Sequence, residues 1–154
     1  MAHSRIFEIT TKQLDRVDYL DLWSLEPEQY SDFADYIDDM NHEGEENSIE
    51  WFADVMSDIF DCDGRELTLR DISGFIEKWK AEVKKRASEF DPKGDGMSSY
   101  FLLKSIKRTH KGIDFHFYNE DYGLMDPCQL IEDILLSHKP GDKFYIGGIL
   151  DYHW

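Results

Sequence analysis

Residues 28–64, EQYSDFADYIDDMNHEGEENSIEWFADVMSDIFDCDG, place apolar side chains at helical spacing and contain no lysine or arginine. How this stretch folds decides the architecture. Pro27 suits a first helical turn, and Tyr30, Phe33, Ala34, Ile37 and Met40 then recur at 3.6-residue spacing as far as NHEG, which predicts a helix over about 27–40. Asn47 with Glu50 three positions later has the form of a capping box. Phe52, Val55, Met56, Ile59 and Phe60 follow as a second apolar stripe, which predicts a helix to about residue 61, ended by CDG.

Upstream, RIFEI (5–9) is β-branched and aromatic enough to be a strand, and Thr11 in TTKQLDRVDYLDLW suits the cap of a short helix. Downstream, Thr68 with Asp71 repeats the capping pattern, and Ile72, Phe75, Ile76, Trp79, Val83, Ala87 and Phe90 predict a long helix that stops at DPKGDG. Lys84, Lys85 and Arg86 in its last turns complement the helix dipole. Then the period changes. YFLLKSIKR and IDFHFYN flank THKG, with Ile113, Phe115 and Phe117 alternating against Asp114, His116 and Tyr118, which predicts a β-hairpin. Asp126-Pro127 opens another helix, PCQLIEDILLSH, and FYIGGILDYHW closes the chain as a strand in which Gly147 and Gly148 mark a bulge or a close approach.

This order predicts an α+β fold in a single domain, 1–154. An acidic helical segment (18–64) packs with a small antiparallel sheet formed mostly by the C-terminal half, where 97–154 supplies the hairpin, a helix and the terminal strand. A chain of 154 residues can bury a real core, and 41% apolar with 14% aromatic residues argues for a packed interior rather than disorder. Cys62 and Cys128 form no disulfide framework or metal-ligand pattern, which suits a reducing cytoplasm, and no apolar run approaches a membrane span.

The net charge of −16 is localised. Between Arg16 and Arg65 there are 16 acids and no lysine or arginine, and the remaining acids and bases balance at 17 each. On a wheel of 100° per residue, Glu28, Asp32, Asp35 and Asp39 fall within about 60° of one another, opposite the apolar face, and Glu50, Asp54, Asp58 and Asp61 do the same on the second helix. Outer faces usually intersperse opposite charges. Like charges at i,i+4 repel, and over both stripes the cost is about 2 to 3 kcal/mol. Acidity needed only for solubility would not be confined to one segment.

Other chemistries fit less well. FDPKGDGMSS begins like a calcium loop, but Lys93 and Leu102 occupy ligand positions, and in DCDGRELTLR the first and last positions would be Ile59 and Arg70. No complete ligand set is legible, so no metal and no cofactor is expected. Asp114 and His116 at strand spacing offer a base beside an orienting carboxylate, or two metal ligands, with His110, His138 and His153 as further candidates. A small enzyme or metal-binding domain using that strand is the alternative function. The standard hydrolase, zincin, P-loop and dinucleotide signatures are missing, so no enzyme is expected. Direct nucleic-acid binding needs a basic patch that so acidic a chain does not favour.

A fixed array of carboxylates attracts a protein with a positively charged groove, and such grooves bind nucleic acid. In charge and size the chain resembles the DNA-mimic inhibitors of phages and mobile elements, antirestriction and anti-CRISPR proteins among them, and the acidic immunity proteins that neutralise nuclease toxins. That resemblance implies a basic, nucleic-acid-binding protein partner in a bacterial cytoplasm and assigns no residues. The residues themselves nominate Glu28, Asp32, Asp35, Asp39, Glu50, Asp54, Asp58 and Asp61, with Glu43, Glu45 and Glu46 in the HEGEE loop and Tyr36 and Trp51 as apolar anchors. No membrane is involved, and a homodimer stays open.

Overall fold

The structure, a computed structural model, describes residues 2–94, 98–109, 111–113 and 115–154. The predicted N-terminal strand forms as β1 (His3–Thr10), and the C-terminal one as the longest strand of the chain, β7 (Lys143–His153). They run antiparallel, with His3 opposite His153, Arg5 opposite Asp151 and Phe7 opposite Ile149, before the register shifts between Phe7 and Ile9. On its other side β7 pairs with two short strands end to end. β4 (Glu66–Leu69) covers Lys143–Tyr145, and β2 (Tyr36–Asp39) covers Leu150–His153. β3 (Phe60–Asp63) extends that edge beyond β4. β5 (His116–Asn119) lies parallel to β1 and antiparallel to β6 (Gly123–Met125). The order is β3-β4-β7-β1-β5-β6, and β1/β5 is the parallel pair of an otherwise antiparallel sheet.

Successive residues of β1 and β7 point to opposite faces, and both faces are covered. Phe7, Ile9, Phe144, Ile146 and Ile149 join Phe52, Phe75, Phe115 and Phe117 in the main core. Ile6, Leu150 and Tyr152 join Leu20, Leu25, Ala34 and Ile37 in a smaller one. The main core is roofed by α2 (His42–Val55), α3 (Ser73–Ser88) and a helix that starts as α5 (Pro127–Gln129), passes through a π turn (Leu130–Ile134) and ends as a 3-10 turn (Leu135–Ser137). At the bulge the glycines are required by space. A Cβ on Gly148 would stand 2.1 Å from the Leu20 carbonyl oxygen, and one on Gly147 would stand 2.1 Å from a carboxylate oxygen of Glu8.

Several local expectations change. The helix over 27–40 is a single turn, α1 (Pro27–Tyr30), followed by β2. Phe33, Ala34 and Ile37 do reach the smaller core, so the apolar positions are right and the period is wrong. A short helix with like charges at i,i+4 is marginal, and here it competes with backbone partners on the half of β7 that β4 leaves uncovered. The second helix starts earlier, capped by Asn41, whose Oδ1 accepts from the Gly44 N–H at 2.7 Å, and ends at Val55. HEGEE is therefore its first turn and not a loop. Of CDG, Cys62 and Asp63 end β3, and Gly64, at φ 58°, opens the tight turn of the β3–β4 hairpin. Residues 11–24 hold two 3-10 turns (Arg16–Asp18, Leu22–Ser24) in place of a helix. The predicted first hairpin strand is a helix, α4 (Ser98–Ile106), since β5 takes the free side of β1 and β6 takes that of β5. Arg86 of α3 donates to the carbonyls of Ser105 and Arg108 at the C-terminal end of α4. Thr68 lies in β4, and it is Asp71 that caps the start of α3, accepting from the Ser73 N–H at 3.0 Å.

Candidate functional site

The observed span of α2 rearranges the acidic stripe. Glu43, Glu46, Glu50 and Asp54 fall within about 80° on its wheel, and all four are exposed. The opposite side carries Ser48 and Phe52, which are buried. His42 sits 3.1 Å from Glu46; among the described residues no lysine or arginine pairs with any of the four. Glu43 lies in the first turn, where the helix dipole favours an acid, whereas Asp54 lies in the last turn, where it does not.

Other nominated carboxylates are neutralised within the chain. Glu45 points the other way on α2, where Arg16 and Arg65 reach the same oxygen at 2.8 and 3.0 Å and leave its side chain 12% exposed. Arg65 also donates to the carbonyls of Ile146 and Gly147 and lies over the Tyr19 ring, so this pair fastens α2 to the sheet. Asp58 and Asp61 leave the helix. The first pairs with Lys111 at 2.7 Å, and the second sits on β3, 3.6 Å from Arg70. Glu28 is on α1, Asp32 and Asp35 are exposed between α1 and β2, and Asp39 of β2 accepts from the Leu22 N–H at 3.0 Å.

The two proposed anchors differ. Tyr36 is 40% exposed, with its ring stacked 4.1 Å from that of His153. Trp51 packs inward against Phe7 and Phe115 and is covered by the Arg5 guanidinium at 4.7 Å. It belongs to the edge of the main core.

Asp114, His110 and Asp95 lie outside the described residues. His116 stacks on Phe33 with centroids 3.7 Å apart, and its Nδ1 is 3.0 Å from the Tyr152 hydroxyl, which gives this histidine a packing role between the sheet and the 16–34 segment. Neither thiol is activated. Burial is the first cause that pushes Cys62 up to about 11 and Cys128 up to about 12, with nearby carboxylates as the second.

A different group of side chains meets where β1, β2 and β7 end. Nδ1 of His3 and Nε2 of His153 stand 3.2 and 3.0 Å from the same carboxylate oxygen of Asp151, and the Asp38 carboxylate is 3.9 Å from His153. Of the described residues, His3, Asp151 and His153 offer donor atoms that all lie within 4.8 Å of one another.

No family model, no curated protein and no solved structure matches the chain.

The His3/Asp151/His153 group was missed because its halves lie at opposite ends of the sequence. One signal was present. DYH (151–153) is the same D-x-H pattern at strand spacing as Asp114/His116, and it sits in a strand that is well defined from sequence. The cross-strand partner, His3, needed the β1/β7 register. No described helix is long and apolar enough to cross a membrane.

Proposed function

We propose that the protein is an acidic protein-binding inhibitor. It docks the outer face of α2 into the basic groove with which a partner holds nucleic acid, in the manner of phage-encoded anti-defence proteins or nuclease-toxin immunity proteins of the bacterial cytoplasm. One observation supports this reading above the others. Glu43, Glu46, Glu50 and Asp54 form an exposed row without a lysine or arginine partner among the described residues, although Glu45, Asp58, Asp61, Glu66 and Glu77 each have one.

The row spans about 17 Å of helix axis, or roughly one charge per 5.5 Å, against one per ~3.4 Å for a single DNA strand. By itself α2 is a diluted mimic. The exposed Glu28, Asp32 and Asp35 add to the field that steers a cationic groove, and Tyr36 offers an exposed ring for residence. Charge reversal of Glu43, Glu46, Glu50 and Asp54 to lysine should leave the fold intact, slow capture of the partner by at least ~10-fold and flatten its salt dependence. The measurement is a pull-down from bacterial lysate at low and high salt, with the captured protein's nucleic-acid binding assayed afterwards. Wild-type capture and an unchanged salt response in the variant would reduce the row to a solvated surface.

A further inference from the structure

We propose that His3, Asp151 and His153 form a binding site for a divalent transition-metal ion of the zinc type, with His3 Nδ1, a carboxylate oxygen of Asp151 and His153 Nε2 as the protein ligands. The spacing supports this first. In a tetrahedral zinc site with bonds of about 2.0 to 2.1 Å, neighbouring ligand atoms stand about 3.3 Å apart. Here the two imidazole nitrogens are 3.2 and 3.0 Å from the Asp151 oxygen, so two of the three ligand–ligand distances already suit a tetrahedral ion, and all three donor atoms lie within 4.8 Å of one another.

The ligands stand on strands, not loops. His3 is the register partner of His153, and Asp151 lies two residues earlier on the same face of β7. Reciprocal backbone hydrogen bonds between Ala2 and Trp154, 3.2 Å each, close the ladder just beyond them. His153 is 6% exposed and held between the Tyr36 ring at 4.1 Å and the edge of His3 at 3.9 Å. Its donor atom is placed before any ion arrives.

Charge supports the site second. The cross-strand neighbour of Asp151 is Arg5, its natural ion-pair partner. Arg5 is engaged elsewhere, donating to Ser48 Oγ at 2.6 Å and lying over Trp51. Among the described residues no lysine or arginine reaches Asp151, so its carboxylate faces the two imidazoles. Asp38, paired in register with Asp151 on β2, adds a second carboxylate at the rim, and a cavity of about 350 Å³ lined by His3, Arg5, Asp39, Asn41, Ser48 and Asp151 gives an ion a way in.

Two imidazoles and one carboxylate select zinc, nickel, copper or iron over calcium and magnesium, which prefer all-oxygen sets. Three protein ligands leave a coordination position open. The other ring nitrogen of His153 is buried with no hydrogen-bond partner among the described residues. Outer-shell partners are worth about 10- to 100-fold in affinity, so the ion should bind in the micromolar range and not at the affinity of a closed structural site.

The test titrates the purified 154-residue chain with Co²⁺, followed by its visible d–d absorption, and with Zn²⁺, followed by calorimetry and thermal shift, near neutral pH. The expected result is one ion per chain, a rise in melting temperature with zinc, and affinity lowered at least ~10-fold in both His3→Ala and Asp151→Asn. His42→Ala, which removes the surface His42/Glu46 pair on α2, should change nothing. The His3 side chain is 54% exposed, so its truncation leaves a folded protein in which to measure the loss. Absence of saturable binding up to millimolar metal, undiminished binding in His3→Ala or in Asp151→Asn, or loss in His42→Ala would overturn the proposal.

Discussion

The bulge between β1 and β7 and the outer face of α2 use the same chemical group to opposite ends. At the bulge one carboxylate, Glu8, is 5% exposed and accepts backbone N–H groups from Leu20 and Gly148, each at 2.9 Å. It joins the irregular 16–34 segment to the central pair of strands. On α2 four carboxylates stand in water without lysine or arginine partners among the described residues, and Glu46 meets only His42 of its own helix. Burial and placement, not the number of acids, decide which carboxylates carry the fold. That leaves the exposed ones available for a partner.

The comparison is broken most severely at the bulge. Gly148→Ala forces a methyl group onto the backbone of Leu20, with the nitrogen 2.8 Å and the carbonyl oxygen 2.1 Å away, and neither is a flexible side-chain end. We expect a loss of about 3 kcal/mol or more, read by denaturant titration. Glu8→Ala should cost about 2 to 4 kcal/mol by leaving two buried N–H groups unpaired, and Glu8→Gln, which keeps an acceptor, should cost less. A neutral outcome for both Gly148→Ala and Glu8→Ala would mean that the bulge does not anchor the 16–34 segment.

Glu45 lies between the two extremes. It shares α2 with the exposed row but meets two guanidinium groups, one of them, on Arg65, only 24% exposed. Glu45→Ala should cost about 1 to 2 kcal/mol, more than any substitution on the outer face. Interior and surface groups also separate by pH. Both thiols have folded pKa values above the ordinary 9.0, so the stability that their burial confers is complete below about pH 9 and is lost as pH rises toward 11 to 12. A melting temperature that falls above pH 9 in the wild type and falls less in the Cys62→Ala/Cys128→Ala double variant, compared with its own value at neutral pH, is the expected signature.

Much of this was legible in the sequence, and the rest failed for identifiable reasons. RIFEI and FYIGGILDYHW are strand patterns that the fold keeps, Ile113, Phe115 and Phe117 are buried although the strand β5 begins only at His116, and the close approach at Gly147 and Gly148 is where it was expected. Phe33, Ala34 and Ile37 reach the smaller core but not as a helix, because the open edge of β7, not visible in sequence, takes Tyr36–Asp39 as a strand and leaves Phe33 and Ala34 in the connection before it. YFLLKSI became α4 while β6, from further along the chain, took the place beside β5 that the predicted hairpin had given it. The acidic row was displaced because its helix is capped six residues earlier than expected, at Asn41, which brings Glu43 and Glu46 into the stripe, and because it ends at Val55, which leaves Asp58 and Asp61 beyond it. The metal-site geometry needed a contact between residues 3 and 153, which only the strand register supplies.

The smallest stability effect is expected on the outer face itself, and its sign tests the comparison best. In Glu43→Gln/Glu46→Gln/Glu50→Gln/Asp54→Asn the i,i+3 repulsion of 43 with 46 and the i,i+4 repulsions of 46 with 50 and 50 with 54 disappear, each worth a few tenths of a kcal/mol. Against that, neutralising Glu43 removes a favourable dipole interaction of about 0.3 to 1 kcal/mol, while neutralising Asp54 removes an unfavourable one at the other end. The dipole contributions nearly cancel and the repulsions do not. The variant should therefore be as stable as the wild type or more stable by about 0.5 to 1 kcal/mol, with a melting temperature less sensitive to salt between low ionic strength and 0.3 M, where the Debye length shrinks to ~6 Å. Single substitutions should be graded by position, with Asp54→Asn the most stabilising and Glu43→Gln neutral or slightly destabilising. If the quadruple variant is instead weaker than the wild type by more than about 1 kcal/mol, those carboxylates hold structure after all, and the division between acids that build the fold and acids left for a partner does not run where the burial pattern puts it.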